Sequence, residues 1–163
     1  MILTTTDIVI RLVIITVLAA LIGMEREYHR RPAGIRTNVM VGLGATLMTM
    51  ASIQTPSLWA DVTTVDPGRI AAQIVSGIGF IGAGIILQRG SKRVIGLTTA
   101  ATLWVVAGLG IAVGMGLYTE AVAATILVFI TFILLTRVVV AVRSYAKRNP
   151  PKFDSDFADL IEE

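Results

Sequence analysis

The chain predicts an all-α fold, a polytopic membrane bundle of five transmembrane helices, on three observations. Hydrophobic residues make up 55% of its 163 residues and mean hydropathy is +0.79, well above the range of a soluble domain. Apolar runs recur at about 8–24, 37–57, 70–88, 95–117 and 121–141, each near the length a helix needs to cross about 30 Å of hydrocarbon at roughly 1.5 Å per residue. All five prolines, Pro32, Pro56, Pro67, Pro150 and Pro151, stand between these runs or close to their ends, where a missing N–H costs least.

The first run follows Met1 to Asp7, which hold no basic residue, and leads into Glu25-Arg26-Glu27 without a small-residue cleavage site. It reads as a retained helix rather than a cleaved signal peptide. Asp7 and Arg11, four apart near its outer end, suit an interfacial anchor in which the arginine snorkels and pairs. The second run opens on Gly34-Ile35-Arg36-Thr37-Asn38 and the fourth on Gly96-Leu97-Thr98-Thr99-Ala100, and each then carries a Gly-x-Gly, at Gly42 and Gly44 and at Gly108 and Gly110. Runs one and two thus echo runs three and four, a symmetry found in transporters and equally in any duplicated hairpin.

The third run is lined with glycine rather than leucine, and after Arg69 no charge appears until Arg89. Gly77 and Gly84 fall on one side of a 3.6-residue helix beside Arg69, Gln73 and Ser76, and Gly79 and Gly82 fall on the other, a pattern that lets neighbours approach on two sides. Gly110-Ile111-Ala112-Val113-Gly114 in the fourth run is a G-x-x-x-G whose ordinary meaning is helix contact. Residues 1–148 form the membrane domain. Beyond Asn149-Pro150-Pro151 the chain turns acidic, and residues 149–163, with Phe157, Leu160 and Ile161 at helical spacing, read as an amphipathic helix or a solvated tail.

Twelve of the fourteen basic residues fall after the first and third runs or in the C-terminal stretch from Arg137 onward, while Asp7, Asp61, Asp66 and Glu120 lie on the other face with Arg11 and Arg69. The positive-inside rule then gives an outside N-terminus and a cytoplasmic C-terminus, which an odd number of crossings satisfies. The net charge of +3 and pI near 9.7 are accounted for by this asymmetry, and no nucleic-acid partner is expected.

Glu25 ends the first run and Arg36 begins the second, so a hairpin brings them together. Glu25 either neutralises Arg36 or Arg26 and fixes the hairpin, or takes part in gating or proton-linked work. His29, the only histidine, reads as a solvated loop residue. Thr98, Thr99 and Thr102 share an arc of about 100° on the fourth helix and line a seam with Gln73, either as interhelical glue or along a solute path. Gly77-Ile78-Gly79-Phe80-Ile81-Gly82 matches G-x-G-x-x-G, but it sits mid-helix in apolar sequence with no strand before it and no acid after it, so no dinucleotide is expected. A dehydrated Mg²⁺ wants carboxylates and no run interior holds one, which leaves a hydrated ion in an oligomeric pore or a site at Asp61, Asp66 or Glu120. Without cysteine, an intramembrane aspartate pair or a metalloprotease motif, neither enzyme chemistry nor a cofactor is expected.

In Leu21-Ile22-Gly23-Met24-Glu25-Arg26, Ala33-Gly34-Ile35-Arg36-Thr37-Asn38, Gly68 to Gly84 and Gly96 to Trp104 the chain resembles the MgtC/SapB family of bacterial inner-membrane proteins. The resemblance covers roughly residues 8–141. It implies a plasma-membrane protein tied to magnesium limitation and, in pathogens, to survival inside macrophages. It also implies a regulatory contact with other membrane proteins, the F-type ATP synthase among them, and the chain is expected to associate with itself. Many members continue into a soluble C-terminal domain, so this chain reads as a short member; some carry a cysteine where this one has Val105. The functional expectation is a non-enzymatic modulator in magnesium or acid stress. Its rival is a Mg²⁺ or proton transporter or channel with Gln73, Thr98, Thr99 and Thr102 along the path and Glu25 and Arg36 at its mouth.

Overall fold

The computed structural model describes residues 3–58, 66, 68–89 and 93–148; the acidic segment and Asp61 lie outside them. The chain divides into two compact units, residues 1–126 and 127–163. In the first, α1 (Thr5–Tyr28), α2 (Ile35–Leu58), α3 (Gly68–Ile85), α4 (Leu97–Met115) and most of α5 (Tyr118–Ile130) follow one another. The second holds the end of α5, a π-helical segment (Thr131–Leu135) and α6 (Thr136–Arg148). Four stretches among the described residues are long and apolar enough to cross a membrane: Thr5–Tyr28, Gly68–Ile85, Leu97–Met115 and Tyr118–Val139.

Two boundaries correct the sequence reading. The third helix was expected to reach residue 88 but stops at Ile85, and β1 (Leu87–Arg89) then pairs antiparallel with β2 (Arg93–Ile95), so the fold is helical apart from this short ribbon. The last helical stretch begins at Tyr118 rather than 121, and its regular α-helix gives way to π geometry at Thr131.

α1 starts on a capping box. The Thr4 hydroxyl accepts from the Asp7 N–H at 3.2 Å, and the Asp7 carboxylate accepts from the Thr4 N–H at 3.1 Å. Asp7 is therefore committed to the cap, and the expected Asp7–Arg11 pair does not form. Nor does Arg11 snorkel outward: it is buried and donates to the carbonyl of Gly114 in the last turn of α4. Gly116, at φ 88°, ends α4 in the left-handed region that favours glycine. The N–H groups of Leu117 and Gly116 satisfy Ala112 and Val113, at 2.9 and 3.0 Å, and Arg11 takes the next carbonyl at the negative end of the helix.

α2 packs against both α1 and α4, and α3 packs chiefly on α4. α2 equals α1 in length yet is absent from the four most apolar stretches because of its polar residues. Asn38, Thr46, Thr49 and Ser52 are all buried. Outside, the pattern inverts. Val9, Val13, Val17, Leu21 and Met24 form an exposed apolar stripe on α1, and Phe80 is 83% exposed. Polar groups inside and large apolar groups outside are what a hydrocarbon solvent selects, so this is a membrane protein.

Of the glycines, Gly110 and Gly114 let α4 meet α2. A Cβ at Gly110 would lie 2.7 Å from the Gly42 carbonyl, and one at Gly114 would lie 2.6 Å from Thr49 Cβ. The two-sided packing expected of α3 gives way to a single stripe of Ile74, Ile78 and Gly82. A Cβ at Gly82 would touch Ala100 at 3.5 Å, whereas at Gly77, Gly79 or Gly84 it would meet nothing within 4 Å. Large apolar side chains four residues apart supply more burial than small ones, and they set which face turns inward.

Candidate functional site

The densest polar constellation lies where the C-terminal end of α1 meets the N-terminal ends of α2 and α4. α1 runs four residues past the expected end at 24, so Glu25 and Arg26 are helical and His29 is the residue that caps the helix. That extra turn decides their partners. Arg26, buried on the inner face, directs Nη2 to the Thr99 hydroxyl at 3.4 Å and holds Nη1 3.8 Å from the Glu25 carboxylate. The other Glu25 oxygen lies 3.0 Å from His29 Nδ1, one turn on. Of its two expected partners Glu25 is thus engaged by Arg26, together with His29, and not by Arg36, which is exposed on the first turn of α2 beside Thr37. His29 is exposed but carries this contact, which a solvated loop residue would lack.

Asn38 is fully buried. Its amide donates to the carbonyls of Ala33 at 2.6 Å and Gly34 at 2.9 Å, which ties the inter-helix turn to α2. Its Oδ1 has no protein donor among the described residues, a position that ordered water ordinarily fills. Thr102 is buried and donates to the Thr98 carbonyl at 2.8 Å, while Thr98 itself is exposed. The expected seam between these threonines and Gln73 is not formed: Gln73, Arg69 and Ser76 lie on the exposed side of α3, opposite the Ile74 and Ile78 stripe. Thr99 meets Arg26 instead.

Sequence reasoning missed two residues. Glu27 accepts from the Ile35 N–H at 3.1 Å and caps α2 from the preceding helix, and Gly23 sits so close to Ile35 that a Cβ would fall 2.6 Å from its Cα. Glu27 as a carboxylate placed ahead of a helix lacking its own acidic first turn was the available signal. Glu27→Ala is expected to lower stability by about 1 kcal/mol, the usual worth of a helix cap, read as a lower thermal midpoint in detergent with unchanged helicity when folded. Chemically the site offers a guanidinium, a carboxylate, an imidazole and hydroxyls, with the charges offsetting one another. Among the described residues no three His, Cys, Asp or Glu side chains gather as a metal centre.

Comparison with known proteins places this arrangement in a family. Over 127 residues, 78% of the chain, it is 47% identical to Protein MgtC of Salmonella typhimurium, covering 52% of that protein. It is 39% identical over 135 residues to Protein SapB of Bacillus subtilis, covering 82% of this chain and 58% of that one. It is 44% identical over 116 residues to YhiD of Escherichia coli K12, named as a proposed magnesium transporter, covering 70% and 54%. The chain therefore spans little more than half the length of these curated relatives. No solved structure matches it. The MgtC family model matches residues 12–140, which include every residue of the polar constellation, and the chain belongs to the MgtC family.

Proposed function

We propose that this chain is a multi-pass protein of the bacterial plasma membrane, with five crossings, an outside N-terminus and a cytoplasmic C-terminus. It acts in magnesium limitation or acid stress as a non-enzymatic modulator of another membrane protein and associates with itself. The observation that carries this reading is how the bundle uses its buried hydroxyls. Thr46 donates across to the Gly110 carbonyl at 2.9 Å, and Thr49 and Thr125 donate to Ala45 and Ala121 at 2.8 Å. An ion path needs polar groups turned toward a lumen, whereas these are spent on backbone carbonyls, Thr46 tying α2 to α4 and Thr49 and Thr125 bonding back within their own helices.

The link to magnesium comes from relatives, YhiD being named for magnesium transport. That name also favours the rival reading, a transporter, for which Glu25, Arg26 and Thr99 would stand at the pathway's end. ATP-driven acidification of inverted membrane vesicles tests the modulator reading, with an ATP synthase as the partner. Adding the purified chain is expected to change pumping at low magnesium. Pumping that is the same with and without the chain counts against it.

A further inference from the structure

α6 carries Arg137, Arg143, Lys147 and Arg148 and no acidic residue. At 100° per residue, Val138, Val139, Val142 and Tyr145 fall within an arc of about 120°, and the four basic positions occupy the other side. The apolar face is bare: Val142 is 59% exposed and Tyr145 70%. It also outruns the membrane span. The apolar stretch ends at Val139, while the apolar positions continue to Tyr145, and three of the four basic positions, Arg143, Lys147 and Arg148, lie beyond Val139. A helix that is half basic and half apolar at the edge of a span meets headgroup phosphates on one side and acyl chains on the other.

We infer that α6 is a binding element for anionic phospholipid. Its basic residues take the headgroup phosphates, Val142 lies against the acyl region, and Tyr145 stands at the boundary where its apolar ring and polar hydroxyl are both accommodated. Charge selects this occupant over a second copy of the helix, because a second α6, which holds no acidic residue, offers these four positive charges no anionic partner.

Native mass spectrometry of the full chain in detergent, titrated with phosphatidylglycerol or phosphatidylcholine, tests the inference. Wild type is expected to retain phosphatidylglycerol about tenfold more tightly, and Arg143→Gln with Lys147→Gln and Arg148→Gln to reduce that preference to about twofold or less. The charge-preserving Arg143→Lys with Arg148→Lys keeps it, which separates charge from misfolding. An equal preference in the triple glutamine variant, or none in wild type, overturns the inference. So does a preference that emerges only after Asp154, Asp156 and Asp159 are changed to asparagine, since the acidic segment would then be the occupant.

Discussion

Gly110→Ala destabilises the bundle by about 3 kcal/mol, the upper end of the usual cost of overpacking, while Gly108→Ala, two residues away, is neutral or slightly stabilising. The contrast follows from what each new methyl group meets. At Gly110 it would lie 2.7 Å from both Ala45 Cβ and the Gly42 carbonyl oxygen and 3.2 Å from the Thr46 nitrogen. Two of these are backbone atoms and the third is an alanine methyl, so no rotamer change relieves the overlap and α2 and α4 must part. Parting them also strains the 2.9 Å bond from Thr46 to the Gly110 carbonyl. At Gly108 the added methyl meets nothing within 4 Å. Thermal unfolding of the two variants in one detergent reads the difference; equal midpoints would show that α2 and α4 do not meet at Gly110.

Arg11→Leu costs about 2–3 kcal/mol, the range for hydrogen bonds to charged groups, because the buried guanidinium alone reaches from α1 to the Gly114 carbonyl. Asp7→Ala costs about 1 kcal/mol through the lost cap with Thr4. In a double-mutant cycle the coupling between them is expected to stay below about 1 kcal/mol, since their hydrogen bonds serve different partners. A coupling energy above about 1 kcal/mol would restore the i, i+4 ion pair between them and contradict the geometry described here.

These two residues also mark how far the sequence could be read. Apolar runs located the helices because hydrocarbon thickness sets their length, and the fourth-helix glycines stood out because small residues four apart permit close approach. Partners were harder to read. A charge near the end of a span suggests snorkelling, and only the register of α1 against α4 reveals that a helix C-terminus lies within reach of Arg11. The sequence leaves Glu25 a choice of Arg36 or Arg26; four further helical residues put His29 one turn away, keep Arg26 beside Glu25 and turn its other nitrogen toward Thr99. In α3, glycines on both sides left its inward face undecided, and burial of Ile74 and Ile78 decided it.

The most direct test of whether the buried threonines are spent on backbone carbonyls or line a path is Mg²⁺ entry into sealed liposomes containing the purified chain and an internal magnesium-sensitive dye. A modulator is expected to give entry equal to protein-free liposomes, with Glu25→Gln indistinguishable from wild type. Entry well above that background, abolished by Glu25→Gln, would contradict the modulator reading and establish a transport path.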